Sequence, residues 1–190
     1  MSDYFFPYLG PLLGCTTVSK EQLKDLKKIC NKRISNHKNL AGHFKEEWLL
    51  DCEKYHKIIL PQLQSYKELY KKFYNRELAS IKPTTAWVNH MKAGDFNPPH
   101  IHTKCRFSSV LFLKVPKKLK EEANRFKGTS EGPGFISFRY GEDAARDNTN
   151  IWAKLPEEGD MFIFPYFMVH WVFPFKTKNK ERVSIAANYD

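Results

Sequence analysis

The patterning of this chain changes near Pro83, and that change limits the folds open to it. Before Pro83, apolar residues recur at helical spacing. After it, short runs alternate with a period of two, which puts every second side chain on one face of a strand. With 190 residues, the chain is long enough to bury a sizeable core as one domain. The pattern divides it into a mainly helical part, residues 1–82, and a strand-rich part, residues 83–190.

Three helices are predicted in the first part. Ser19-Lys20-Glu21-Gln22 has the form of a capping box, and Leu23, Leu26, Ile29 and Ile34 follow on one face. Phe44, Trp48, Cys52, Tyr55 and Ile59 make a second stripe. Pro61 suits a helix first turn and opens a third, carrying Leu63, Tyr66, Leu69, Tyr70 and Phe73. These stripes read as core, not as cofactor contacts. In the second part, strands are expected over 85–91, 107–115, 135–140, 161–164, 170–173 and 182–188, with a short helix over 116–124. Loops are expected at 128–134 and 141–150. Many short strands separated by Gly and Pro turns point to a sandwich or jelly roll.

Composition narrows the function classes. Hydrophobic residues make up 42% and aromatics 15%, which fits a packed globule and not a disordered chain. The formal charge of +10 comes mostly from lysines spread along the chain, without a block that would act as a basic tail. Such a surface steers anions of any kind, so nucleic acid and an acidic protein stand as alternative partners. Cys15, Cys30, Cys52 and Cys105 form no C-x-x-C pair, and free thiols in a reducing cytoplasm are the expectation. Residues 1–14 lack the basic lead of a signal peptide, and no apolar run approaches the ~20 residues that cross a bilayer.

One group of residues carries chemistry. His100 and His102 are two apart after the turn-rich segment Gly94-Asp95-Phe96-Asn97-Pro98-Pro99, so an extended chain points both imidazoles the same way. Imidazole suits iron, zinc and copper. Two hydrogen-bonded surface histidines would give the same pattern. His170 stands in an apolar stretch, where it is either a satisfied core residue or a third ligand. Arg182 and Ser184 share one face of a strand whose other face is Val183 and Ile185. An arginine there is either an ordinary surface charge or a buried one that wants an anion, because an unpaired charge in a core strand is costly.

Together these residues carry a resemblance. Trp87-Val88-Asn89, Gly94, Asn97, His100-x-His102, Ser108, Pro156-x-x-Gly159-Asp160-x-x-Ile163-Phe164-Pro165, His170, Pro174 and Arg182-x-Ser184-x-x-x-Asn188 resemble the 2-oxoglutarate/iron(II) oxygenases of bacteria and tailed phages, relatives of the prolyl hydroxylases. The resemblance implies an α+β fold, a double-stranded β-helix (jelly roll) with the N-terminal helices packed outside. It implies iron(II), 2-oxoglutarate as co-substrate and dioxygen. It places His100 and His170 on the metal, Arg182 and Ser184 on the far carboxylate of 2-oxoglutarate, and Asn89 and Asn188 as further polar contacts in the pocket; His102 is read as the remaining ligand from its side-chain direction, the alternative being a carboxylate from elsewhere. The family's usual second ligand is an aspartate or glutamate two residues after the first histidine, and His102 occupies that place.

The implied activity is hydroxylation of a C–H bond in a protein or peptide side chain, proline among the candidates. Two other readings stand beside it. One is a cupin-like dioxygenase that binds its metal through three histidines and acts on a small molecule. The other is a noncatalytic basic β-sandwich that binds nucleic acid or an acidic partner.

Overall fold

The computed structural model describes residues 10–30, 42–43, 46–141 and 150–190, and the backbone of 34–35. Strand β1 (Gly14–Thr17) leads into helix α1 (Lys20–Ile29). Ser19 caps that helix reciprocally. Its Oγ accepts from the Gln22 amide at 3.1 Å, and its own amide donates to Gln22 Oε1 at 2.8 Å. The chain continues through β2 (Ile34–Ser35), β3 (Glu46–Leu49), α2 (Cys52–Tyr74), β4 (Pro83–Met91), β5 (Asn97–His100), β6 (Phe107–Lys114) and α3 (Lys117–Arg125). It ends with β7 (Ile136–Arg139), β8 (Ile151–Lys154), β9 (Asp160–Pro165), β10 (Val169–Val172) and β11 (Arg182–Tyr189).

Two antiparallel sheets result. The larger has the order β1-β9-β6-β11-β4-β3-β2 and the smaller β5-β10-β7-β8. The period of two on β11 assigns its two faces. Val183, Ile185 and Ala187 pack with Val88, Leu111 and Ile163 against Leu26 of α1 and against Tyr55, Ile59, Leu63 and Tyr66 of α2. The opposite face of the large sheet meets the small one. There Met91, Phe112, Phe162 and Phe164 pack against Ile136, Phe138 and Val172. This is the two-sheet jelly roll with external helices that the pattern after Pro83 pointed to.

The segment before Pro83 departs from expectation. The second and third helices are one continuous helix, α2, capped by Asp51, whose side chain accepts from the Lys54 amide at 3.1 Å. Pro61 lies inside it instead of opening it. A proline removes one helical hydrogen bond, but Pro61 and Lys57, the residue whose carbonyl loses its partner, are exposed, so water can serve that carbonyl. The next carbonyl, that of Ile58, also accepts from Gln22 Nε2 at 2.6 Å. Trp48 is not helical but sits on β3, and Phe44 lies outside the described residues. With β1 and β2, β3 joins the sheet built mostly after Pro83. Of the loop expected at 141–150, residues 142–149 lie outside the described set. The turn before β9 is as read, with Gly159 at φ +97, a conformation that favours glycine.

Candidate metal and carboxylate site

The faces of the two sheets that meet enclose a cavity of about 630 Å³. Asn89, His100, His102, His170, Arg182, Ser184 and Asn188 all line it. Residues scattered over a hundred positions of sequence therefore share one space.

The imidazoles converge because β10 pairs with β5. His170 lies directly opposite His100, and their ring centroids are 4.2 Å apart. His102 falls two residues past the end of β5, where its amide donates to the Tyr166 carbonyl at 3.0 Å. That bond holds it beside the pair although it is no longer on a strand. One ring nitrogen from each histidine lies within 4.8 Å of the other two. Nδ1 of His100 is 2.8 Å from the Pro98 carbonyl, and Nδ1 of His170 is 3.0 Å from the Met168 carbonyl. A carbonyl only accepts, so each Nδ1 carries the proton and each Nε2 keeps a lone pair for a ligand. Nε2 of His102 and His170 are 3.2 Å apart. Two nitrogens at about 2.1 Å from one metal are about 3.0–3.4 Å apart, so the spacing suits a shared cation.

Burial keeps these rings neutral. It lowers His100, pushes His102 down to about 4 and holds His170 well below the ordinary histidine value, with like charge on neighbouring rings adding to the effect on the last two. Neutral imidazole is the form that binds a metal. The same shifts make metal-free stability depend on pH. Unfolding restores ordinary histidines, which take up protons below about pH 6.5 before the folded ones can. Stability is therefore full above pH ~6.5 and falls as pH drops toward about 4, by on the order of 3 kcal/mol from His102 alone. Urea midpoints of the metal-free protein at pH 7.5 and 5, less those of His102→Gln, measure this. An equal pH dependence in both proteins would contradict it.

Arg182 opens β11 and is 1% exposed. Its Nη1 donates to the Gly134 carbonyl at 2.9 Å, and its Nη2 lies 2.7 Å from Met91 Sδ. The guanidinium sits 5.4 Å from the Phe112 ring centroid. Nε is buried without a hydrogen-bond partner, and among the described residues no carboxylate forms an ion pair with this side chain. Desolvation pushes its pKa down to about 9. A buried guanidinium with an open donor is a receptor for an anion. Ser184, two residues on, and Asn89, directly opposite Ser184 on β4, face the same cavity. Asn89 Oδ1 is a buried acceptor without a partner. Asn188 is already engaged, because its Oδ1 accepts from Ser108 Oγ at 2.9 Å. The donor set thus fits a divalent metal beside a dicarboxylate. Among the described residues, no carboxylate belongs to the histidine cluster.

The cavity also has walls that the sequence reading did not assign to it. Leu49 and Glu47 reach it from β3, Trp87 from β4, and Val110 and Phe112 from β6. Trp87 could have been found by its period of two with Asn89. Glu47 could not, because its segment carried a helical stripe.

Comparison with known proteins places this geometry. Residues 85–188 match the family profile described as "Putative 2OG-Fe(II) oxygenase", where 2OG is 2-oxoglutarate. Among solved structures, a 2OG-Fe(II) oxygenase family oxidoreductase from Burkholderia pseudomallei superposes with a TM-score of 0.60 at 12% identity, covering 94% of this chain and 84% of that one. A Pseudomonas putida prolyl-4-hydroxylase gives 0.60 at 12% identity, over 93% and 91%. A viral collagen prolyl hydroxylase from Paramecium Bursaria Chlorella virus-1, in complex with 2-oxoglutarate, gives 0.55 at 12% identity, over 93% and 94%. At such identity these likenesses establish the fold. No curated protein matches the chain.

Proposed function

The chain belongs to the 2-oxoglutarate/iron(II) oxygenase family, whose members use iron(II), 2-oxoglutarate and dioxygen, and from that membership we propose that it hydroxylates a C–H bond in a protein or peptide side chain, proline among the candidates. In this reaction R–H, 2-oxoglutarate and dioxygen become R–OH, succinate and carbon dioxide, one oxygen atom entering the product and the other succinate. The observation that carries the reading is the shared cavity, with three neutral imidazoles converging near a buried guanidinium that lacks a carboxylate among the described residues.

We assign His100, His102 and His170 to the metal. Pro98 and Met168 orient two of these rings through their Nδ1 protons. Bound there, iron(II) supplies the redox chemistry that activates dioxygen. Arg182 binds the far carboxylate of 2-oxoglutarate, with Ser184 adding a hydrogen bond, and Asn89 and Asn188 border the same space. Three neutral imidazoles leave the dication's charge uncompensated, and the carboxylate at the keto-acid end of the co-substrate would offset part of it, the far carboxylate being held by Arg182. His102 in the usual carboxylate position is therefore compatible with the chemistry. Phe112, Phe164 and Met91 exclude water around these groups, which strengthens each charged contact.

The prolyl hydroxylase likenesses support a peptide substrate. The whole chain is read as one domain, residues 1–82 included, supported by the entry of β1, β2 and β3 into the sheet of β4, β6, β9 and β11. A cytoplasmic setting fits a reduced metal and four cysteines without disulfides. Among the described residues, no helix is long and apolar enough to cross a membrane.

Anaerobic titration tests the cofactor assignment without a known substrate. Iron(II) followed by 2-oxoglutarate should raise the visible metal-to-ligand absorption of the chelate, saturating at one equivalent. Iron(II) that binds while 2-oxoglutarate leaves the spectrum unchanged would favour the three-histidine cupin-like reading.

A further inference from the structure

Strand register lays out the cavity face of the large sheet as a series of rows. Along β11 that face carries Arg182, Ser184, Ala186 and Asn188, paired in turn with Met91, Asn89, Trp87 and Thr85 of β4. Exposure rises along both strands. On β11 it goes from closed-off Arg182 to half-buried Asn188, and on β4 from buried Met91 to exposed Thr85. The cavity is therefore closed at its Arg182 end and open at its Asn188 end. Six residues of strand, about 20 Å, separate the two ends, far more than a five-carbon dicarboxylate covers. The metal cluster stands over the outer rows. The His102 ring centroid is 5.9 Å from that of Trp87 and 6.3 Å from that of Phe164. Phe164 pairs with Ser108, which pairs with Asn188. With the far carboxylate of the co-substrate at Arg182, the open end is left for the substrate.

That end is polar and cationic. Ser108 Oγ donates to Asn188 Oδ1 at 2.9 Å, so the amide turns its Nδ2 donors away from Ser108. Among the described residues, no acceptor takes those donors. Thr85, directly opposite Asn188, and Lys104, two residues past His102, also line the cavity. Among the described residues, Lys104 has no carboxylate partner. Its backbone is held at φ +59, a conformation uncommon for a residue other than glycine. Glu47, the acid among the lining residues, already has a partner and belongs to the Ser184 row. Four residues of strand, about 14 Å, lie between that row and Asn188, so screening separates its charge from this end.

We propose that Asn188, Thr85 and Lys104 form the substrate subsite and that it binds the carboxylate of an aspartate or glutamate in a peptide. The inference rests on the function proposed above. Asn188 Nδ2 and the Thr85 hydroxyl donate to the carboxylate, and the Lys104 ammonium supplies the opposite charge. The formal charge of +10 draws acidic segments toward the protein. A carboxylate held on the Asn188 row sets the neighbouring residues of the peptide beside the metal cluster. A basic or apolar side chain gains none of these contacts.

The protein loaded anaerobically with iron(II) and 2-oxoglutarate is titrated calorimetrically with end-capped, otherwise uncharged peptides. These carry Asp, Asn, Glu or Gln at one central position. A single-stranded thymidine oligonucleotide forms a separate arm, and the chelate absorption is followed throughout. An acidic peptide should bind at least about fivefold more tightly than its amide counterpart. Lys104→Glu should bring the two within about twofold, as should Asn188→Asp, which keeps the bond from Ser108 but replaces the donor by an acceptor. Lys57→Glu, the same charge change on α2 across the sheet, should leave the preference in place. Equal binding of acid and amide peptides overturns the proposal, as does a preference that survives Lys104→Glu or falls equally in Lys57→Glu. Chelate absorption lost as an acidic peptide binds would place its carboxylate at Arg182 and also overturn it. An oligonucleotide that outbinds the acidic peptides and is weakened by Lys104→Glu would make the anion a phosphodiester instead. Should Asn188→Asp fail to fold, Lys104→Glu decides. Failure of the parent to form the chelate absorption before any peptide is added overturns the functional reading itself, and this inference with it.

Discussion

His170→Ala is expected to lose iron(II) binding by at least about a hundredfold, because it removes one of three ligands and, among the described residues, no carboxylate stands in the cluster to replace it. The effect should exceed that of any change outside the cluster. His170 is the most enclosed of the three, with the Phe164 ring centroid at 4.6 Å and Phe138 at 6.1 Å. Truncation leaves only water to take the place of the imidazole beside the Met168 carbonyl and the His102 ring, and an unanchored water is a weaker ligand than a fixed imidazole. Equilibrium dialysis with iron(II), or with manganese(II) in air, reads the loss directly. Folding is checked by circular dichroism, since removing a buried side chain that bonds the Met168 carbonyl costs stability. Stoichiometric iron retained by the variant would move His170 out of the coordination sphere and leave His100 and His102 as an incomplete pair.

Arg182→Ala should raise the 2-oxoglutarate dissociation constant by about a hundredfold while iron(II) binding changes little. The magnitude follows from losing charge-assisted hydrogen bonds to a carboxylate in a site away from water, on the order of 3 kcal/mol. Arg182→Lys should recover only part of it. Lysine offers a point charge where the planar fork offers paired donors, and it cannot as readily keep the bond to Gly134 while meeting a ligand. The anaerobic chelate absorption provides the readout, with iron titrated separately in each variant. Unchanged 2-oxoglutarate affinity in both variants would mean that the guanidinium serves the fold alone, through Gly134 and Phe112.

The long strands after Pro83, β4, β6 and β11, were legible because they are long enough to repeat, whereas the four-residue β8 was not read. Residues 182–188 offer several alternations, and their polar and apolar sets fall on the cavity and helix faces as read. The stretch around Trp48 was not legible for the opposite reason. Four strand residues give two alternations, and Phe44, Trp48, Cys52 and Ile59 fit a helical stripe equally well. Strand β5 contains Pro98 and Pro99, residues that argue against a strand. It tolerates them because it is the edge of its sheet, where a missing donor faces no neighbour. Pro61 did mislead. A helix interior accepts it where the orphaned carbonyl is reached by solvent, which depends on which face the helix buries.

By itself the sequence determined the period of each long element, the placing of Arg182 with Ser184 on one strand face, and, through these and the His100-x-His102 motif, the family. These are local properties, set by side-chain direction along one strand. Only the tertiary structure decided that His170 lies opposite His100, that Arg182 is closed off from water, and that Glu47 turns into the cavity. Each depends on register between strands distant in sequence. Shifting such a register by one residue would send every side chain to the other face, and the packing of the whole core is what holds it.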